Sequence, residues 1–119
     1  MHLQPQLLFD VVYYKIVDLV NSQKTMPYRQ HDWVVGFDGV YFVSSVHLDA
    51  NEAPIMGAYE SAVFRCNEAG AISDENWVPL VVYYRADKKS AKAIHSQLCE
   101  VISKAVSPIT KELIHRDLM

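Results

Sequence analysis

The stretch Val40 to Asp49 constrains the fold more than any other part of the chain. Val40, Phe42, Ser44, Val46 and Leu48 share one parity, and Tyr41, Val43, Ser45, His47 and Asp49 share the other. That alternation reads as a half-buried strand, with successive side chains on opposite faces of a sheet. Just ahead of it, Trp33-Val34-Val35 forms a second apolar run. The two are joined through Gly36-Phe37-Asp38-Gly39, where two glycines can supply the positive φ that a tight reversal needs. A β-hairpin is predicted there.

Two further strands follow by the same logic. In 58–66, Tyr59, Ser61, Val63 and Arg65 alternate with Ala58, Glu60, Ala62, Phe64 and Cys66. Period two carries Glu60 inward with Phe64 and Cys66, where a carboxylate needs a donor, and His95 or Arg85 is the expected partner. Trp77 to Arg85 is nearly continuous in apolar residues, which predicts a strand buried on both faces or covered by a partner, beginning beyond Pro79 or lying at an edge there.

The helical signals flank these strands. Pro5 suits a first turn, and Leu8, Val12, Ile16, Leu19 and Val20 predict a helix over residues 5–23. Met26 to Asp32 reads as a loop, because Pro27 keeps Met26 extended, and Ala50 to Gly57 reads as a surface loop. Asp87 is the expected N-cap of a long helix whose apolar stripe is Ala91, Ile94, Leu98, Val101, Ile102 and Ala105. Ser107-Pro108 ends it and starts a short terminal helix, Ile109 to Asp117, in contact through Ile109, Leu113 and Ile114.

The fold expected is therefore α+β: a helix, a four-stranded antiparallel meander, a long helix and a short C-terminal helix, in a two-layer sandwich. With 119 residues, half of them hydrophobic, residues 1–119 suit a single domain with one core. A two-layer sandwich leaves the far sheet face open. That face, or a terminal helix, is expected to form a homodimer.

No apolar run approaches the roughly 20 residues of a membrane span, and no charged n-region precedes an apolar core, so no membrane association and a cytoplasmic location are expected. Cys66 and Cys99 are far apart without metal-type spacing and read as buried thiols. Residues 1–84 carry four basic and ten acidic side chains (−6), and residues 85–119 carry seven and four (+3), for the overall −3. The excess of acid argues against nucleic acid and toward a basic protein partner for the acidic segments 49–52 and 68–75.

Phosphate-loop, metalloprotease, nucleophile-elbow and paired-cysteine motifs are absent, and the composition calls for no cofactor and no metal. His47, Asp49, Glu60 and His95 are the set from which a site would be built. His47 and Asp49 lie two apart on one strand face, the arrangement a metal or acid/base pair needs, and His95 is near the start of the helix that follows the sheet.

Val43-Ser44-Ser45-Val46-His47-Leu48-Asp49, then Tyr59-Glu60-Ser61-Ala62-Val63-Phe64, then Tyr84-Arg85 with Ala91 and His95, occur in fixed order. This order resembles a group of small uncharacterised proteins of bacteria and their phages, with the pattern V-S-T-V-x-L-G-L-D-H, E-T-M-V-F, and A-x-x-x-H on a helix. The resemblance spans residues 43–95. It implies the strand-strand-helix order and a mobile-element setting, it points to Asp49, Glu60 and His95, and it implies no reaction. The functional expectation is a non-enzymatic accessory or protein-interaction protein of a prophage or gene cassette. The alternative is a small-molecule-binding or hydrolytic protein with a polar pocket between the sheet and the last helix.

Overall fold

The computed structural model describes residues 28–48, 59–67, 70, 72 and 77–118. Strands β1 (Arg29–Gly36), β2 (Gly39–His47), β3 (Tyr59–Arg65) and β4 (Val81–Arg85) precede helices α1 (Lys88–Lys104) and α2 (Lys111–Asp117). The strands pair antiparallel in the order β1-β2-β3-β4, so the meander and the two helices form the α+β arrangement that the alternation predicts. The helix expected over residues 5–23 and the loop expected over 50–57 lie outside the described residues.

β1 begins at Arg29, inside the segment expected to be a loop. Its polar start, Arg29-Gln30-His31-Asp32, is extended because it lies opposite Val46, Ser45, Ser44 and Val43 of β2. Pairing with a buried neighbour overrides the weak local preference of these residues. The hairpin uses its two glycines differently. Neither Phe37 nor Asp38 has a positive φ, and the unusual conformation falls on Gly39, at φ 144°. Gly36 answers a packing need: a Cβ there would lie 3.1 Å from Ile102 Cγ2 and 3.2 Å from the Tyr41 ring.

Both helices lie over the sheet face that carries Tyr41, Val43, Val63 and Val81, and bury Ile94, Leu98, Ile102, Leu113 and Ile114 against it, with Ile109 from the segment between them. The opposite face is not open as expected. Phe42, Ala62, Phe64, Cys66 and Ile72 form a second buried cluster there, with Val40 and Trp77 against it. Ile72 and Trp77, which follow β3 in the chain, pack over the sheet there. Cys66 and Cys99 are free thiols belonging to opposite sides of the sheet, which keeps them from bridging.

β4 starts beyond Pro79 and, among the described residues, lies at the sheet edge, but its apolar run is not buried on both faces. Only Val81 is buried, and Val82 is exposed, because an edge strand has a neighbour on one side only. Asp87 caps α1 as expected, accepting the Ser90 N–H at 2.8 Å. α2 starts later than expected, with Thr110 as its cap, accepting the Leu113 N–H at 3.1 Å. Ile109 stays outside the helix because side chains engage its backbone: its N–H donates to Asp38 Oδ2 (3.2 Å), and its carbonyl accepts from Arg65 Nη2 (2.9 Å). Among the described residues no helix is long and apolar enough to cross a membrane.

Candidate functional site

Ser45 of β2 and Ser61 of β3 are register partners on the sheet face that α1 covers. Their hydroxyl oxygens lie 2.6 Å apart. Above them His95, within the buried stripe of α1, places Nδ1 2.6 Å from Ser45 Oγ and Nε2 2.7 Å from Asp32 Oδ2. Asp32 reaches the same face from β1, since it lies opposite Val43. The result is a continuous polar line, Ser61–Ser45–His95–Asp32, across three strands and one helix.

The proton positions follow from satisfiability. An ionised Asp32 can only accept, so Nε2 carries the proton and Nδ1 accepts from Ser45, whose oxygen then accepts from Ser61. Every hydroxyl donor is used, in one direction. That satisfies polar groups whose desolvation would otherwise cost several kcal/mol.

A serine, a histidine and an aspartate in hydrogen-bonded sequence are also the parts of an acyl-transfer triad. Access decides against that chemistry. Ser45 is 1% exposed, beneath α1, so no carbonyl carbon can approach its Oγ. The end of the line that meets solvent is the Asp32 carboxylate, 49% exposed. The Asp32 carboxylate is thus the accessible end, and the serines hold the buried imidazole from behind.

Cys99 lies one helical turn beyond His95. Its sulfur, the His95 imidazole and the Asp32 carboxylate present donor atoms all within 4.8 Å of one another. Burial, and after it the charge of Asp32, pushes the Cys99 thiol up to about 11. A thiol raised in this way stays mostly protonated at neutral pH, which disfavours a nucleophilic role.

Of the three described residues among the four singled out in the sequence, His95 alone belongs to this constellation. His47 points to the same sheet face but packs edge-on against Tyr59, ring centroids 4.8 Å apart, and its Nδ1 is buried without a partner among the described residues. Glu60 lies on the other face, across the ladder from Val46 and Tyr84, and the Tyr84 hydroxyl is its donor. His95 cannot reach it through the sheet, and Arg85, aligned with Tyr59, is also on the far side. Asp49 lies outside the described residues. Sequence reasoning missed Asp32, Ser45, Ser61 and Cys99. The available signals were the His95-to-Cys99 spacing of one turn, and two serines at positions where Val43 and Val63 put the strands' inward face.

A cleft of about 330 Å³ lies between α1 and α2, lined by Gln97, Glu100, Val101, Lys104, Ala105, Asp117 and Leu118. It is formed by the helices alone and is not the pocket expected between sheet and helix. Comparison with protein-family models, curated proteins and solved structures finds no match to this chain.

Proposed function

We propose that this chain is a non-enzymatic interaction protein that self-associates through the β1 edge of its sheet. The observation that carries this is the concentration of large apolar side chains on β1 and its turn: Trp33, Val35 and Phe37 are 52%, 74% and 59% exposed. Among the described residues β1 is paired on one side only, leaving backbone donors and acceptors along an apolar edge. Such an edge is a template for another strand.

A second copy of the same strand is the partner that suits it. Antiparallel pairing of β1 with itself about a two-fold axis gives both copies the same contacts and closes the assembly. Registers that set Trp33 against Trp33, or Trp33 against Val35, keep apolar groups together and keep Asp32 from facing its own copy. The mobile-element setting rests on the resemblance of the 43–95 pattern. The acidic residues proposed to meet a basic partner, in 49–52 and 68–75, lie outside the described residues and add nothing to the choice.

Light scattering at high micromolar concentration should give twice the 13.6 kDa chain mass. Val35→Lys, at an exposed position, should return the mass of one chain and leave the melting temperature within a few degrees of the wild type. A single-chain mass for the wild type overturns the proposal. A dimer that survives Val35→Lys removes the β1 edge as its surface.

A further inference from the structure

We propose that Asp32, His95 and Cys99 form a binding site for one zinc-class divalent cation at the seam between β1 and α1, with Ser45 and Ser61 supporting the imidazole from behind. The proposal stands independently of self-association.

Three observations converge on it. The first is the donor set: one carboxylate, one imidazole and one thiol, with donor atoms within 4.8 Å of one another. Tetrahedral zinc holds nitrogen and oxygen at about 2.0 Å and sulfur at about 2.3 Å, so its donors stand roughly 3.3–3.6 Å apart. Reaching that spacing requires the 2.7 Å contact between Asp32 and His95 to open and the longest separation to close by about 1 Å. The proposal requires the Asp32 and Cys99 side chains to rotate by this much on binding.

The second is rigidity. His95 and Cys99 share one helix face a turn apart, and Asp32 is fixed by the pairing of β1 with β2. The third is the support behind the imidazole. Metal-ligating histidines usually donate their other ring N–H to a fixed acceptor, and Ser45 Oγ lies 2.6 Å from Nδ1.

The balance of protons is consistent. A cation takes the Nε2 lone pair, so the imidazole proton moves to Nδ1 and is donated to Ser45, which in turn donates to Ser61. The hydroxyl line reverses direction, and the Ser61 hydroxyl proton then turns away from Ser45. Cys99 loses its proton on ligation, as thiol ligands do. Thiolate with imidazole selects zinc-type ions over magnesium or calcium, which require several oxygen ligands. The half-exposed side of Asp32 is the entry path and leaves room for water as a fourth ligand.

The full-length chain, stripped with chelator, is titrated with Co²⁺ as an optical probe and then with Zn²⁺. The expected result is saturation at one ion per chain, with a near-ultraviolet thiolate-to-cobalt band and visible bands of tetrahedral intensity, all displaced by zinc. Saturating zinc should also raise Tm by about 4 °C or more. Cys99→Ser should abolish the thiolate band, and Cys66→Ser, on the opposite side of the sheet, should leave it intact. Asp32→Asn, at a half-exposed position that folding tolerates, should weaken binding at least tenfold. Ser45→Ala should weaken it roughly 10- to 100-fold while circular dichroism confirms the fold. Absence of saturable binding in the wild type, or a thiolate band that survives Cys99→Ser, overturns the proposal.

Discussion

His31 shows how burial of a single side chain sets a pH response. Its ring stacks on Phe42, centroids 5.6 Å apart, and both ring nitrogens are buried without partners among the described residues. Burial above all, then the positive charge of Arg29 and repulsion from His95 whenever that ring is also protonated, holds its pKa below the ordinary value of 6.5, and Asp32 opposes the shift. The unfolded chain therefore takes up a proton near pH 6.5 while the folded chain resists it. The contribution to stability is full above pH 6.5 and is lost as pH falls toward the depressed folded value. His31→Phe keeps the stack and removes both the titration and the unmet nitrogens. It should raise Tm at pH 7.5 and raise it further at pH 5.5. An equal change in Tm at both pH values would show that His31 does not titrate in this window. Glu60 makes the complementary point: its strand phase was legible from period two, but its donor was not, because face assignment excludes His95 and Arg85 and admits Tyr84.

Elements were legible where a strong period repeated, and illegible where a neighbour decided. Val40 to Asp49 displays its two faces in its own residues, and α1 displays Asp87 and its apolar stripe. Arg29 to Asp32 displays nothing of the kind, since only pairing with β2 makes it a strand, and Asp32 and His95 are 63 residues apart in the chain. The candidate site therefore stayed hidden in the sequence except for His95. Gly36 is a similar case of a local residue with a distant reason. Its role looks like turn flexibility, yet its φ is ordinary, and what it provides is the close approach of Ile102 and Tyr41. Gly36→Ala should cost roughly 1–3 kcal/mol by overpacking. In the Ile102→Leu background, which lacks the Cγ2 methyl, part of that loss should be recovered if contact with Ile102 is the cause. Urea denaturation of the two singles and the double measures the coupling, and strict additivity would refute this cause.

At the scale of the whole molecule, the described strands serve two cores at once. The sheet carries the helix-covered cluster on one face and the Phe42–Phe64 cluster on the other, so its strands cannot lose one set of contacts without disturbing the second. Each face has its own reporter. Trp33 packs on Phe42 with centroids 4.9 Å apart and Trp77 on Phe64 at 6.0 Å, so tryptophan fluorescence follows the second cluster, while far-ultraviolet circular dichroism follows α1 on the first. If the shared sheet couples the faces, the two signals should give coincident urea transitions. Leu98→Ala, which empties a fully buried position under α1, should cost 2–5 kcal/mol, with the exact loss set by how far the site collapses. The decisive feature is where that loss is seen. It should move the tryptophan transition by as much as the helical one, although neither tryptophan belongs to the cluster that was mutated. A helical transition that shifts alone, with the tryptophan midpoint unchanged, would show that the two faces unfold separately and that the sheet does not transmit stability between them.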